Sequence, residues 1–188
     1  MMITRSELLD VVYRFYPRGV RNFMRIYVPS GEPFYDDTEE HRRLVEAANR
    51  GREEYPTWKA MIGRLGDRYS LQNESLHLLS GGVDPAYSAR IYRPKDLEPV
   101  PSLSSRASLS FHVSLLGPYY GIHDRGEPDE KPAVIAEEIE ATYPGYQQIP
   151  PELGNEVVPD VEMDGASMGE ATIYICLFSD VWTWVDPV

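Results

Sequence analysis

His112 and His123 are the side chains whose type and spacing come nearest to a reaction centre in this sequence. His112 sits in Ala107–Leu116, where Leu109, Phe111, Val113 and Leu115 alternate with Ser108, Ser110, His112 and Ser114. That alternation predicts a half-buried antiparallel strand with His112 on its polar face. His123 lies in the run GIHDRGE, beyond the Gly117-Pro118 turn. Tyr119–His123 reads as the hairpin partner, which would bring the two imidazoles together. With Asp124 or Glu127 they could hold a divalent metal, or form a general base with its orienting carboxylate. The competing reading, which the sequence favours, leaves His112 as an exposed or hydrogen-bonded surface residue.

Other reaction chemistries lack their parts. No Gly-x-Ser-x-Gly nucleophile elbow occurs. The single Cys176 excludes an internal disulfide and a cysteine-based zinc site. Its neighbours Ile173, Ile175, Leu177 and Phe178 predict a buried, inert thiol. The run LSGGVD at Leu79–Asp84 is glycine-rich but has no lysine or helix start after it, so it reads as a tight turn rather than a phosphate cradle. The paired carboxylates Glu39/Glu40, Glu53/Glu54 and Glu137/Glu138 fall on polar helix faces and read as solvated. The expectation is a protein without catalytic residues, cofactor or metal.

Charge is distributed unevenly along the chain. The formal net charge is −12, and 15 of the 30 carboxylates fall between Gly117 and Val188 against only Arg125 and Lys131. The first 116 residues are close to neutral. Such an array predicts an acidic face that steers a basic partner. Its candidate members are Glu137, Glu138 and Glu140 on one helix, then Glu152, Glu156, Asp160, Glu162 and Asp164 on a proline-rich segment. Tyr119, Tyr120, Tyr143, Tyr146, Trp182 and Trp184 would supply anchoring contacts, with one of the two tryptophans packed on the core. Direct nucleic-acid binding by this part is disfavoured, because phosphates require Lys and Arg. No run of 18 apolar residues predicts a membrane span, and no signal core precedes Pro17, so the expected location is the cytoplasm.

The elements that must position these residues read as a single domain over 1–188. Thr4 and Glu7 are spaced as a capping box for a helix over Thr4–Tyr16, with Leu8, Val11, Val12 and Phe15 inward. A strand is expected at Phe23–Val28. Asp37 or Thr38 caps a second helix to about Arg50, Gly51 breaks it, and Pro56 opens a third over Thr57–Leu65. Leu71–Leu79 fits strand and helix alike. Tyr87–Tyr92 and Ala107–Leu116 read as strands, joined by the Pro/Ser-rich run Pro94–Ser105. Asp129 caps a helix to about Thr142, with Ile135, Ala136, Ile139 and Tyr143 inward. The unbroken apolar run Ala171–Phe178 reads as a second central strand, and Asp180–Val188 as an aromatic tail. The order predicts an α+β fold, an antiparallel sheet of about four to six strands with helices mainly on one face.

Four stretches carry a family resemblance: TRSELLDVVYRFYPRG from Thr4, LLGPYYGIHD from Leu115, YPGYQQIPPELGNEVVPDV from Tyr143 and MGEATIYICLFSDVWTW from Met168. Together they span nearly the whole chain, which resembles the immunity proteins of bacterial polymorphic toxin systems, most nearly the immunity protein 52 family. The resemblance implies a cytoplasmic α+β protein of contact-dependent competition that silences a cognate toxin, a nuclease among the candidates. It carries over no catalytic residues. The acidic second half agrees independently, because nuclease active surfaces are basic. Two other classes stay open: a small metal-dependent enzyme built on His112 and His123, and an acidic adaptor.

Overall fold

A computed structural model describes residues 3–22, 31–91, 109–124, 129–163 and 166–178. The expected strand Phe23–Val28, the Pro94–Ser105 connection and the Asp180–Val188 tail lie outside the described residues.

Helix α1 (Arg5–Phe15) begins as its spacing demands. Thr4 Oγ1 accepts the Glu7 N–H, and the Glu7 carboxylate accepts the Thr4 N–H at 2.8 Å. Leu8, Val12 and Phe15 are its buried stripe. A 3-10 turn at Tyr35–Asp37 then leads into α2 (Glu39–Gly66), where Thr38 Oγ1 accepts the His41 N–H at 3.2 Å.

Helix α2 corrects the sequence reading. It runs unbroken for 28 residues through both Gly51 and Pro56. Gly51 is glycine because Leu115 lies against it: a Cβ there would stand 2.5 Å from Leu115 Cδ1. Tyr87 also donates its hydroxyl to the Gly51 carbonyl. A mid-helix proline costs about 3 kcal/mol. Burying a large apolar side chain gains roughly 1.5–3 kcal/mol, and α2 buries Leu44, Trp58, Met61, Ile62 and Leu65 on one face. Packing therefore outweighs the two local breakers.

Among the described residues five strands follow in the spatial order β1-β2-β3-β4-β5. They are β1 (Leu71–Asn73), β2 (Ala86–Ile91), β3 (Leu109–Ser114), β4 (Tyr119–Asp124) and β5 (Gln147–Gln148). All neighbours are antiparallel except the short β4–β5 pair, so the fold is α+β with a mostly antiparallel sheet. The ambiguous Leu71–Leu79 resolves into β1 followed by one helical turn, α3 (Leu76–Leu79).

On one face of the sheet, Tyr87, Ala89, Ile91, Leu109, Phe111 and Val113 pack with Trp58 of α2 and with Ile135 and Ile139 of α4 (Lys131–Thr142). The opposite face is not open to water as the alternation of β3 suggests: all six residues of β3 are buried. Ser110, His112 and Ser114 lie on the side covered by α6 (Ile173–Phe178). There Ser114 Oγ donates to the Leu177 carbonyl at 3.2 Å, and the Phe178 ring sits 5.6 Å from the His112 ring.

Helix α6 overturns the expectation of a central strand at Ala171–Phe178. Thr172 Oγ1 accepts the Ile175 N–H, and Cys176 N–H donates to the Thr172 carbonyl at 3.0 Å, as a helical turn requires. Every residue of α6 is buried. A run buried on all sides has no polar face to betray its period, so helix and strand look alike. Below α6, α5 (Pro151–Gly154) packs its Gly154 against the Tyr174 ring.

Candidate interaction surface

The acidic residues proposed for partner binding divide into two sets once folded. The first set is consumed by the amino-terminal region. Glu156 pairs with Arg5. Asp160 accepts the Tyr13 hydroxyl at 2.9 Å and lies 3.5 Å from Arg18 Nε, while its carbonyl accepts the Gly19 N–H at 2.7 Å. Arg18 in turn stacks 3.9 Å over the Tyr13 ring. Glu162 has a side chain only 4% exposed; it accepts the Asn22 N–H at 3.1 Å and faces Arg21 at 3.6 Å. Three acids in the proline-rich segment thus clip it to three arginines at the start of the chain.

The second set stands on α4 and α5. Asp129 Oδ1 accepts the Lys131 N–H at 2.9 Å, just ahead of α4 as its spacing predicts, although the capping position itself is Glu130. Ile135 and Ile139 are fully buried, which turns Glu137 and Glu140 outward one helical turn apart. Glu138 is less available, because its Oε1 receives Arg64 Nε at 2.6 Å. Glu140 receives the hydroxyl of the buried Tyr120 at 2.6 Å. Burial, and next the Glu140 carboxylate, push the Tyr120 phenol well above its usual value. Glu140 is therefore an exposed carboxylate on a fixed support. Glu152 is exposed on α5. Asp164, Trp182 and Trp184 lie outside the described residues.

Tyrosines border the α4 acids. Tyr143 and Tyr146 follow α4 with ring centroids 5.3 Å apart, both half-buried. Burial raises both phenols; the neighbouring tyrosines add to the rise in Tyr143, and the charge of the exposed Glu54 on α2 adds last in each. Glu140 precedes Tyr143 by three residues at the end of α4.

Among the described residues the alternative centre does not assemble as a metal site. The register sets His112 opposite Gly121 and His123 opposite Ser110, so both histidines share one sheet face, as the hairpin reading requires. His112, however, is fully buried rather than on the surface, and its Nδ1 lies 2.8 Å from Ser88 Oγ. Among the described residues no group of three His, Cys, Asp or Glu side chains could hold a metal ion. Glu127 lies outside them. Cys176 is buried as expected, and burial raises its thiol far above the usual range.

One constellation went unnoticed in the sequence. His77 and Asp84 bracket the LSGGVD turn, and His77 Nδ1 lies 3.0 Å from both Asp84 oxygens. They line a pocket of about 150 Å³ with Glu74, Ser75, Ser88 and Arg90. The available signal was a His and an Asp seven residues apart across a glycine turn.

No family model, curated protein or solved structure matches this chain. Among the described residues no helix is long and apolar enough to cross a membrane.

Proposed function

We propose that this chain is an immunity protein of the polymorphic-toxin kind, which acts in the cytoplasm by binding and neutralising a basic cognate toxin, a nuclease being the class its charge suits. The observation that carries the reading is the face of α4, where Glu137 and Glu140 are exposed one helical turn apart. Support also comes from the net charge of −12 and from the chain-wide resemblance of its sequence. An inhibitor with such a face competes with the nucleic-acid backbone for the same Lys and Arg side chains.

The folded arrangement determines which substitution tests this cleanly. Reversing Glu138 would break its bond to Arg64, and reversing Glu140 would strand the buried Tyr120 hydroxyl. Glu137 is exposed and makes no ion pair among the described residues, so Glu137→Lys alters the field and little else. The assay is association of the protein with the toxic domain encoded beside its gene, measured at low and high salt. Glu137→Lys should slow association severalfold at low salt, and the difference should shrink once the Debye length falls below about 10 Å. An unchanged association rate in the folded variant removes α4 from the interface. Failure of the wild-type protein to bind that domain refutes the function.

A further inference from the structure

The pocket around His77 and Arg90 lies on the sheet face opposite α4, and nothing in the proposed toxin binding uses it. Ser88 and Arg90 alternate along β2 with Tyr87 and Ala89, which pack on the α2–α4 side, so the first pair must point the other way. The walls of the pocket carry both signs of charge. Glu74 and Arg90 stand on one side with Oε2 and Nη2 3.8 Å apart, an ion pair without a direct hydrogen bond. Asp84 and His77 stand on the other. The hydroxyl-bearing Ser75 and Ser88, with Ala86 and Phe178, complete the lining.

This is a built pocket rather than a chance crevice. The turn that carries His77 and Asp84 is fastened from three directions. Arg52 Nη1 of α2 donates to the carbonyls of Leu78 (3.2 Å) and Gly82 (2.9 Å). Ser80 Oγ and Gly82 N–H both donate to the His77 carbonyl. The His77 ring lies over Gly82 in the space a side chain would fill, so a larger residue there would displace the ring. On the opposite wall the Ser88 N–H donates to Ser75 Oγ at 3.0 Å, and Ser88 Oγ rests on the buried His112.

We propose that this pocket binds a small zwitterion, an α-amino acid with a short side chain. Its volume of about 150 Å³ is well below the ~300–1,000 Å³ of sites for larger cofactors and drug-sized ligands. A simple anion placed there would meet the carboxylates of Glu74 and Asp84, and a simple cation would meet Arg90. A ligand with an ammonium and a carboxylate on adjacent atoms satisfies both signs. The ammonium faces Glu74 and Asp84, and the carboxylate faces Arg90. The side chains of Glu74, Asp84 and Arg90 are 26%, 29% and 30% exposed. Charges sheltered to that degree interact more strongly than charges on open surface.

The test is amide NMR of the full chain titrated with glycine, L-alanine and L-serine, with acetate and methylammonium as singly charged controls. Saturable shifts in residues 74–90 are expected for the amino acids up to about 10 mM, and none for the controls. Glu74→Gln and Arg90→Gln should each weaken binding by about tenfold or more, the scale of one lost charge-assisted hydrogen bond. Glu74→Gln keeps the shape of the side chain and serves where Arg90→Gln fails to fold. Absence of saturable shifts, an equal response to acetate or methylammonium, or full binding by folded Glu74→Gln would each overturn the assignment.

Discussion

Replacing Gly154 by alanine sets two opposing effects against each other, and the structure decides between them. Alanine is the better helix former by about 1 kcal/mol, and Gly154 closes the four-residue α5. Against this, a Cβ at Gly154 would sit inside the Tyr174 ring, well within van der Waals contact of three ring carbons. Ordinary contact begins near 3.4 Å, so the ring would have to withdraw by about 1 Å. It has little room to do so. Tyr174 is 1% exposed, its hydroxyl donates to the Ile149 carbonyl at 2.7 Å, and its ring lies 5.8 Å from that of Phe178. Overpacking of this kind costs about 1–3 kcal/mol, and so short a helix realises little of the propensity gain. We expect Gly154→Ala to destabilise the fold by about 1–2 kcal/mol, a fall in Tm of roughly 2–8 °C for a domain of this size. The assay is thermal and urea unfolding of the variant, of Tyr174→Phe and of the double variant. Tyr174→Phe frees the ring from Ile149, so the double variant should lose less than the sum of the single losses. A Tm within 1 °C of wild type for Gly154→Ala would refute the claim that the ring cannot yield.

Two further outcomes follow from burial. Tyr35, Tyr87, Tyr120, Tyr143 and Tyr174 have phenols raised by burial, so each helps hold the fold below its unfolded value of 10.0 and that help is lost as pH climbs above it. A spectrophotometric titration should therefore show these rings ionising only with cooperative alkaline unfolding, and independent ionisation of all 13 tyrosines near pH 10 would contradict it. Cys176, buried within α6 with a raised thiol, should react with a disulfide reagent only as fast as the chain opens, so urea should accelerate labelling. Rapid stoichiometric labelling of the native protein would place the thiol at the surface instead.

What the sequence reveals depends on whether local pattern or distant packing decides. α1 is legible because its capping box and its apolar stripe at Leu8, Val12 and Phe15 agree. β3 is legible as a strand but not in its exposure, because Ser110, His112 and Ser114 are polar residues roofed by a helix more than fifty residues later. α2 is misread as two helices because Gly51 and Pro56 are breakers locally, and only Leu115 and the buried Trp58 face explain their tolerance. α6 hides its period because it is buried all round. The His77–Asp84 pair shows the opposite failure: its partners are near in sequence, but nothing local says that the turn between them is fastened by Arg52.

The charge asymmetry has a deeper cause than the linear count suggests. Opposite charges far apart in sequence are brought together by the fold: Arg5 with Glu156, Arg18 with Asp160, Arg21 with Glu162. The near-neutral amino-terminal part lends its arginines to the acidic part, and the proline-rich segment gains anchors that regular structure does not give it. The exposed pairs Arg5–Glu156 and Arg18–Asp160 are each worth little, so the clip holds largely through the buried Glu162 and what accompanies it. Val158 and Val161 are buried, Val158 N–H donates to the Ala171 carbonyl at 2.8 Å, and Ile173 N–H donates to the Glu156 carbonyl at 3.0 Å. The same pairing neutralises the field of that segment at short range. It leaves α4, with Glu137 and the Tyr120-supported Glu140, as a described part of the acidic half where negative charge faces water. A basic partner drawn by the whole molecule would therefore find its directional contacts on α4 rather than on the segment that carries more acids in its sequence.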